Sequence, residues 1–548
     1  MIRLTWSDFF LTLTLMISLT GSVFSQQLDK PEPPIGKVQY EISCSDEVGP
    51  AFNEAVSLLH HMTYPQAKAS FEKIAAIDPE CAIAYWGIGM TLFQPLWPTR
   101  PGPNELQEGW EMVLKAKSLT SQTKREQLFI ATTEAFFRNP KNTDYRERIR
   151  SWADATEKLY REFPDDTEVK AFFALSLLAA GQLGSQGLDY NNRAAQVALS
   201  IHATNPLHPG AIHYLIHAND IQGREHGSLD IVRSYHTIAP HNPHALHMPT
   251  HIFIRLGNWQ EAIDGNLMAA EAALLHSAGD NGQYVWDEYS HALEYLLYAY
   301  LQQGADESAF EQLRLLYSRG NLQPTFKTAF NLASMPARYA LERKAWKEAA
   351  TLSPQAHNEI AWDRYPWPEA ITWFARGIGA IHEGDHVEAR NALKRIEELE
   401  ETTDKVGEEL FRNQIRILRL GVSSWISHFE NNEEQAHELM QAAADLEVST
   451  PKHPVTPAPT LPAHELLGEL LMEQNKPLEA LDAFRKSLKL YPKRFNSLLG
   501  AARAAQSLNH QQIAREFYTG LLEIGATGSD RSGLAEARFY LSSDFDKN

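Results

Sequence analysis

Two cysteines, Cys44 and Cys81, are all that 548 residues contain. Thiolate-rich zinc, iron–sulfur and other soft-ligand centres are therefore excluded, since each needs several sulfur ligands. Positive charge is also short: 50 Lys and Arg against 69 Asp and Glu leave a net charge of −19. Nucleic acid needs clustered Lys and Arg to displace counterions, and anionic lipid needs a basic patch, so neither is an expected partner. No Gly-rich phosphate loop, dinucleotide fingerprint or GxSxG elbow occurs. Sustained period-2 alternation is missing too, so strands are not expected. No apolar run after residue 24 could span a bilayer.

The apolar run that does exist is at the start. Residues 9–24, FFLTLTLMISLTGSVF, follow Arg3 and end with Val23 and Ser25 at the −3 and −1 positions of a cleavage before Gln26. This is the pattern of a secretory signal peptide over residues 1–25. An uncleaved anchor is the competing reading, but a span needs about 20 apolar residues. The mature chain is expected to be exported, periplasmic or secreted, with no membrane insertion after cleavage. Export places Cys44 and Cys81 where a disulfide persists, and the two are expected to be joined. Two free buried thiols are the alternative.

What fills the rest is a repeat. In residues 461–492 Gly468 stands twelve before Ala480, Phe484 follows four later, and Pro492 eight after that. These offsets match the 34-residue tetratricopeptide pattern. The small residues let two helices approach, the aromatic fills the space to the next unit, and Pro stops the second helix. Ala514 and Tyr518 repeat the phase. Ala55, Ala67, Phe71 and Pro79 show it again near the N-terminus, with Gly89 34 residues after Ala55. The expected fold is all-α: helix–turn–helix repeats stacked into a right-handed superhelix, an α-solenoid. The divisions read from the sequence are a linker and N-terminal segment (26–50), N-terminal repeats (51–135), central repeats (136–448), a Pro-rich connection (449–462), C-terminal repeats (463–525) and a polar tail (526–548).

Histidine is concentrated in the central repeats. Ten of the 22 fall within residues 202–251. HPGAIHYLIHAND (208–220) and HNPHALHMPTHIFIRLGNW (241–259) each carry a pair at i, i+4: His213 with His217, and His247 with His251. On a helix such residues lie one turn apart on one face, the spacing that offers two imidazoles to one metal. Neither pair encloses a Glu, which excludes a zinc protease of the HExxH type. The pairs are 34 residues apart, one repeat length, so they occupy equivalent positions on neighbouring first helices. The terminating glycines Gly257 and Gly304 are 47 apart, and the same shift carries His244 to His291. The candidate ligands are thus His213, His217, His247, His251 and His291, with His244 and His208 beside them, for one metal or two. Asp220, Asp287 and Glu294 are the carboxylates expected to hold the outer ring nitrogens. Imidazole donors suit Zn, Cu, Ni or Fe. Packing of the histidines between stacked helices is the competing reading. Pro249 inside the second pair argues for a helix that begins there, with His247 at its cap. His60 and His61 are read as packing or capping residues.

HPGAIHYLIHAND, HMPTHIFIRLGNWQEAIDGN, HALEYLLYAYLQQG, PARYALERKAWKEAA and the early AVSLLHHMTYPQAKASFEKIAAIDPECAIAYWGIGM together resemble a group of exported bacterial tetratricopeptide-repeat proteins. The resemblance covers most of residues 44–525, and its most specific part is the His-rich stretch within 202–304. Leu215 and Thr250 stand where the group's pattern has Tyr and Ser. The resemblance implies an all-helical superhelix with a His-lined centre and supplies no activity. Two functions follow: a repeat protein with a His-rich metal site, a metalloenzyme if a coordination position is open, or a metal-free scaffold holding a protein or peptide partner in its groove. No reaction and no catalytic residue can be read from the sequence.

Overall fold

The computed structural model describes residues 34–97, 100–120, 122–141, 144–183, 187–279, 281–406 and 409–543. The expected signal peptide, the first part of the linker and the last residues of the tail lie outside these. From Pro34 onward the chain belongs to one compact unit. The fold is all-α. Among the described residues the strands are a two-residue antiparallel pair, Ser277–Ala278 with Tyr284–Val285, in the insertion between two repeats.

Six helices position the centre: α1 (Gly49–His60), α2 (Thr167–Gly181), α3 (Pro209–Asn219), α4 (Pro243–Leu256), α5 (Trp259–Ala273) and α6 (Asp287–Gln302). Sequence chemistry starts and stops them. The His208 side chain caps α3 by accepting from Ala211 N–H, and Pro209 follows in the first turn. Asn242 does the same for α4 through Ala245 N–H, with Pro243 after it. Gly257 ends α4 in the left-handed conformation at φ 66°. First helices touch in order: α3 with α4, α4 with α6, α6 with Phe326–Glu342, and that helix with Pro366–His382. This is the row a repeat array requires.

The packing follows the small-residue logic. A Cβ on Gly468 would lie 2.7 Å from the Phe484 ring, and one on Gly500 2.3 Å from it. The aromatic of one unit thus fits between two first helices that only glycine allows so close. Near the N-terminus it is Gly87, 2.4 Å from Phe71 by the same construction, that takes this role. Gly89 is two residues out of place, its Cβ position 3.8 Å from Phe137. The offset of 16 from aromatic to glycine, Phe71 to Gly87 and Phe484 to Gly500, is the one that recurs.

Two features depart from the sequence reading. Helix α4 begins at Pro243 and runs through Pro249, so His247 and His251 share one continuous helix. The Asn242 cap fixes its start upstream, and the proline sacrifices one internal hydrogen bond rather than starting the helix. The Pro-rich connection is buried rather than a spacer. Val455, Ala458 and Leu461 are core residues. Its carbonyls are used: Tyr295 donates to Pro454 O at 3.0 Å, and Arg338 donates to Pro459 O at 2.8 Å and Ala458 O at 3.0 Å. Proline-rich backbone forms no ladder of its own, so these carbonyls remain free for side chains.

The apolar core divides into two clusters, and α3 belongs to both. Ala211, Tyr214, Leu215 and Ala218 pack with the N-terminal repeats, while Ile212 and Ile216 pack with the later ones. The first His pair therefore sits on the helix that joins the two cores. Cys44 and Cys81 form a disulfide with Cα atoms 4.9 Å apart, fastening the N-terminal segment to the start of helix Ala82–Phe93. The tail carries a helix, Ser532–Ser542, anchored by Arg531 donating to Leu301 O at 2.7 Å.

Candidate functional site

The candidate ligands separate into two sets of three. His213 and His217 of α3 meet His244 of α4, and His247 and His251 of α4 meet His291 of α6. Within each set one ring nitrogen per residue lies within 4.8 Å of the other two. Each set is built alike: an i, i+4 pair on one first helix and a single histidine from the next. The sets adjoin. His244 and His247 are one turn apart on α4 with ring centroids 6.5 Å apart.

Hydrogen bonds fix the tautomers of His213, His247 and His251. His213 Nδ1 lies 2.6 Å from the His60 carbonyl, which can only accept, so Nδ1 carries the proton and Nε2 a lone pair. That Nε2 faces His217 Nε2 at 3.1 Å and His244 Nε2 at 3.2 Å. The second set is more constrained. His247 Nδ1 donates to Asn266 Oδ1 at 2.7 Å, and the amide cannot be reversed because Asn266 Nδ2 donates to Ala262 O. His251 Nδ1 donates to the Asp220 carboxylate at 3.0 Å. Both Nε2 atoms are left with lone pairs, and they face each other at 3.0 Å. Tyr295 is near His251 Nε2, at 3.4 Å, but its proton goes to Pro454 O. A proton shared between the two rings would make one of them cationic. Burial opposes that, pushing both His247 and His251 below the ordinary imidazole value. Burial likewise lowers His213 and His291, and takes His217 down to about 3.

Two electron pairs of buried rings aimed at one point are unfavourable unless a cation stands there. A metal about 2.0–2.1 Å from two imidazole nitrogens at a tetrahedral angle sets them roughly 3.3 Å apart. The observed spacings of 3.0–3.2 Å are close to that value. The third histidine cluster differs. His60, Glu168 and His208 also converge, but every proton there has a place. His208 Nδ1 accepts from Ala211, so its Nε2 donates to Glu168 at 3.0 Å. The Tyr214 hydroxyl can donate to His60 Nδ1 at 2.8 Å, leaving His60 Nε2 to donate to Glu168 at 2.8 Å. This network is complete without a metal. Its structural task is to hold α1 so that the His60 carbonyl meets His213.

His208 is thus outside both sets, because its capping role at α3 turns the ring toward α2. Asp220 holds a ring nitrogen as the sequence suggested, and is itself held by Arg255 and by Lys452 at 3.4 Å. Asp287 and Glu294 do not hold a ring. Asp287 accepts from Thr325 Oγ1 at 2.8 Å and pairs with Lys327, while Glu294 turns to Arg338 at 3.6 Å. The carboxylate beside His244 is Glu288, 3.7 Å from its Nδ1 and 2.7 Å from Lys327 Nζ. Burial works to raise the Glu288 carboxyl, but Lys327 and His244 outweigh it and hold it well below the usual range. Glu288, Tyr295 and Asn266 were missed. Aligning α4 and α6 by their first residues gives an offset of 44 instead of 47. That offset sets Glu288 against His244, His291 against His247 and Tyr295 against His251, and would have found two of the three. His61 packs, its ring nitrogens meeting Tyr235 Oη at 2.8 Å and Ile35 O at 3.0 Å.

A cavity of about 580 Å³ opens onto the sets. His217 and His244 from the first and His251 and His291 from the second line it, with Trp97 and Lys327 among the other walls. Lys327 Nζ sits 4.1 Å over the Trp97 ring. A molecule in this space would reach both sets at once.

No protein-family model matches the chain, and no curated protein sequence matches it. Among solved structures, a chain of the APC/C hetero-tetramer Cut9–Hcn1 aligns over 90% of this chain and 90% of its own at 12% identity, with a TM-score of 0.30. A likeness that loose says nothing about function, and the fold assignment rests on the helix pairs and their packing.

Proposed function

We propose that this chain is an exported tetratricopeptide-type repeat protein that binds two metal ions, one on His213, His217 and His244 and one on His247, His251 and His291. The observation that carries the reading is the His247–His251 contact: two Nε2 lone pairs at 3.0 Å, each ring's proton committed on its other side. The outer contacts are those a metal ligand needs, since an acceptor on Nδ1 fixes ring and tautomer and makes Nε2 more basic. Three protein ligands leave a coordination position free, and four of the six rings border the cavity. That combination suits a metalloenzyme acting on a small molecule.

The metal-free scaffold reading has less behind it. A peptide lying along α6 and the helix after it would meet residues 454–459 of the chain itself, already bonded to Tyr295 and Arg338. Export is supported by the apolar run of residues 9–24 and by the Cys44–Cys81 disulfide, which persists in oxidising compartments. Among the described residues no helix is long and apolar enough to cross a membrane.

The test of the metal reading is elemental analysis of untagged protein from the exported fraction, with intact mass on the same sample. Bound transition metal in His251→Gln below the wild-type level, at unchanged helical content, is the expected result. A wild-type protein that neither carries nor takes up metal would overturn it. Retention of residues 1–25 in the mass would overturn export.

A further inference from the structure

The two sets differ from most two-metal sites in what they lack. All six donors are imidazoles, and among the described residues no carboxylate oxygen joins either set of three. Asp220 and Glu288 stand at the Nδ1 edges of His251 and His244, Glu288 also lining the cavity, and their charges already face Arg255, Lys452 and Lys327. Two divalent ions would thus bring four positive charges into a buried site with no ligand anion to offset them. Divalent zinc also accepts three imidazoles with one open position, whereas divalent iron and nickel are commonly bound by more than three protein ligands. Monovalent copper halves the charge and suits a small set of imidazoles. Divalent copper in turn stands highest in the affinity order for nitrogen donors. The donor set therefore fits copper(I) as it stands, and copper(II) once an incoming anion offsets the added charge.

The geometry adds a second constraint. His244 and His247, one from each set, are neighbours on α4 with ring centroids 6.5 Å apart, and both sets border the same cavity. Two ions held by these sets would face one cavity and share a ligand bound in it. We infer that the two sets hold copper as a coupled pair and that the pair binds dioxygen; the inference rests on the metal reading above. Each copper(I) gives one electron. The two electrons fill the O–O π-antibonding level, so the π bond is lost and the O–O σ bond remains. The product would be an O₂ dianion, whose charge offsets that of the two copper(II) ions, and no proton moves. One-electron reduction of dioxygen is much harder than two-electron reduction, which is why the pairing of the sets matters.

The experiment uses the full mature chain, stripped of metal and loaded anaerobically with copper(I) or, separately, with zinc(II). Oxygen is then admitted. Copper oxidation state is read from the X-ray absorption edge and unpaired spin from electron paramagnetic resonance. The expected result is two copper ions per chain, an edge shifted to copper(II), and loss of nearly all spin signal because the two spins pair. In His217→Ala one set is broken, and the remaining ion should appear as an ordinary isolated copper(II) signal after chemical oxidation. His291→Ala breaks the other set and should give the same, so the conclusion does not hang on one variant's folding. A wild-type spin signal accounting for all the copper would overturn the coupling. An edge that stays at copper(I) in oxygen would overturn the ligand. Zinc bound at two per chain with copper(I) not retained would overturn copper and leave the metal reading standing. No uptake of either ion would end both.

Discussion

At the scale of single residues, the account turns on which atom of each imidazole is already occupied. Asn266 matters because its amide is locked by Ala262 O and so must accept from His247. Asn266→Ala removes that acceptor without touching a donor nitrogen. Metal affinity should drop about 10–100-fold, measured by competition with a chromophoric chelator. An unchanged affinity would show that the His247 ring needs no support. A second residue-scale effect lies away from the histidines. Burial lifts the Glu447 carboxyl to about 7, against donors Ala463 N–H at 3.2 Å and Tyr491 Oη at 3.3 Å that favour its charged form. The folded state therefore holds a proton that the unfolded state releases near pH 4.5. Stability falls as pH rises from that value through about 7, because the buried group must then ionise or keep its proton at a cost. Glu447→Gln should flatten this decline, gaining on the order of 3 kcal/mol at pH 8 relative to pH 5. Urea midpoints across that range measure it, and parallel pH profiles for the two proteins would refute it. Spacing made the six inner histidines and Asp220 legible in the sequence. Asn266 was not legible, because it projects from a second helix toward a first one and follows no repeat.

Elements bring a different lesson. The repeat length could be read because a close helix pair needs a small residue and an aromatic at fixed offsets. Its exact register could not, because the insertion between α4 and α6 changes the helix start by 44 residues and the terminating glycine by 47. The count of 47 sets Glu294 opposite His247, a place His291 takes, and passes over Glu288 and Tyr295. The buried run at 452–461 was also hidden: proline content reads as a spacer until tertiary acceptors and donors are seen. Packing at the repeat junction is tight enough to test. Phe484 is flanked by Gly468 and Gly500, with Cβ positions 2.7 and 2.3 Å from its ring, so the ring cannot retreat from either side. Gly500→Ala should cost roughly 1–3 kcal/mol despite its better helix propensity. A thermal midpoint equal to or above wild type would mean that the junction relaxes freely.

For the whole molecule, two cores share α3, and the N-terminal one is tied by a disulfide closing a 37-residue separation. Replacing both cysteines by serine should lower stability by about 2–4 kcal/mol, with loss seen first in the N-terminal repeats by hydrogen exchange. Equal protection with and without the bond would contradict that. Because α3 carries His213 and His217 while α4 and α6 carry the rest, metal would fasten the N-terminal core to the central one. Bound ions should therefore stabilise the whole chain by linkage. The central claim is that each three-histidine set holds one ion. Equilibrium dialysis of stripped, untagged protein against copper or zinc, followed by elemental counting, tests it most directly. The account predicts two ions per wild-type chain, one in His217→Ala or in His251→Ala, and none when the two substitutions are combined. Wild-type protein with no retained metal, or a count unaffected by these substitutions, would contradict it.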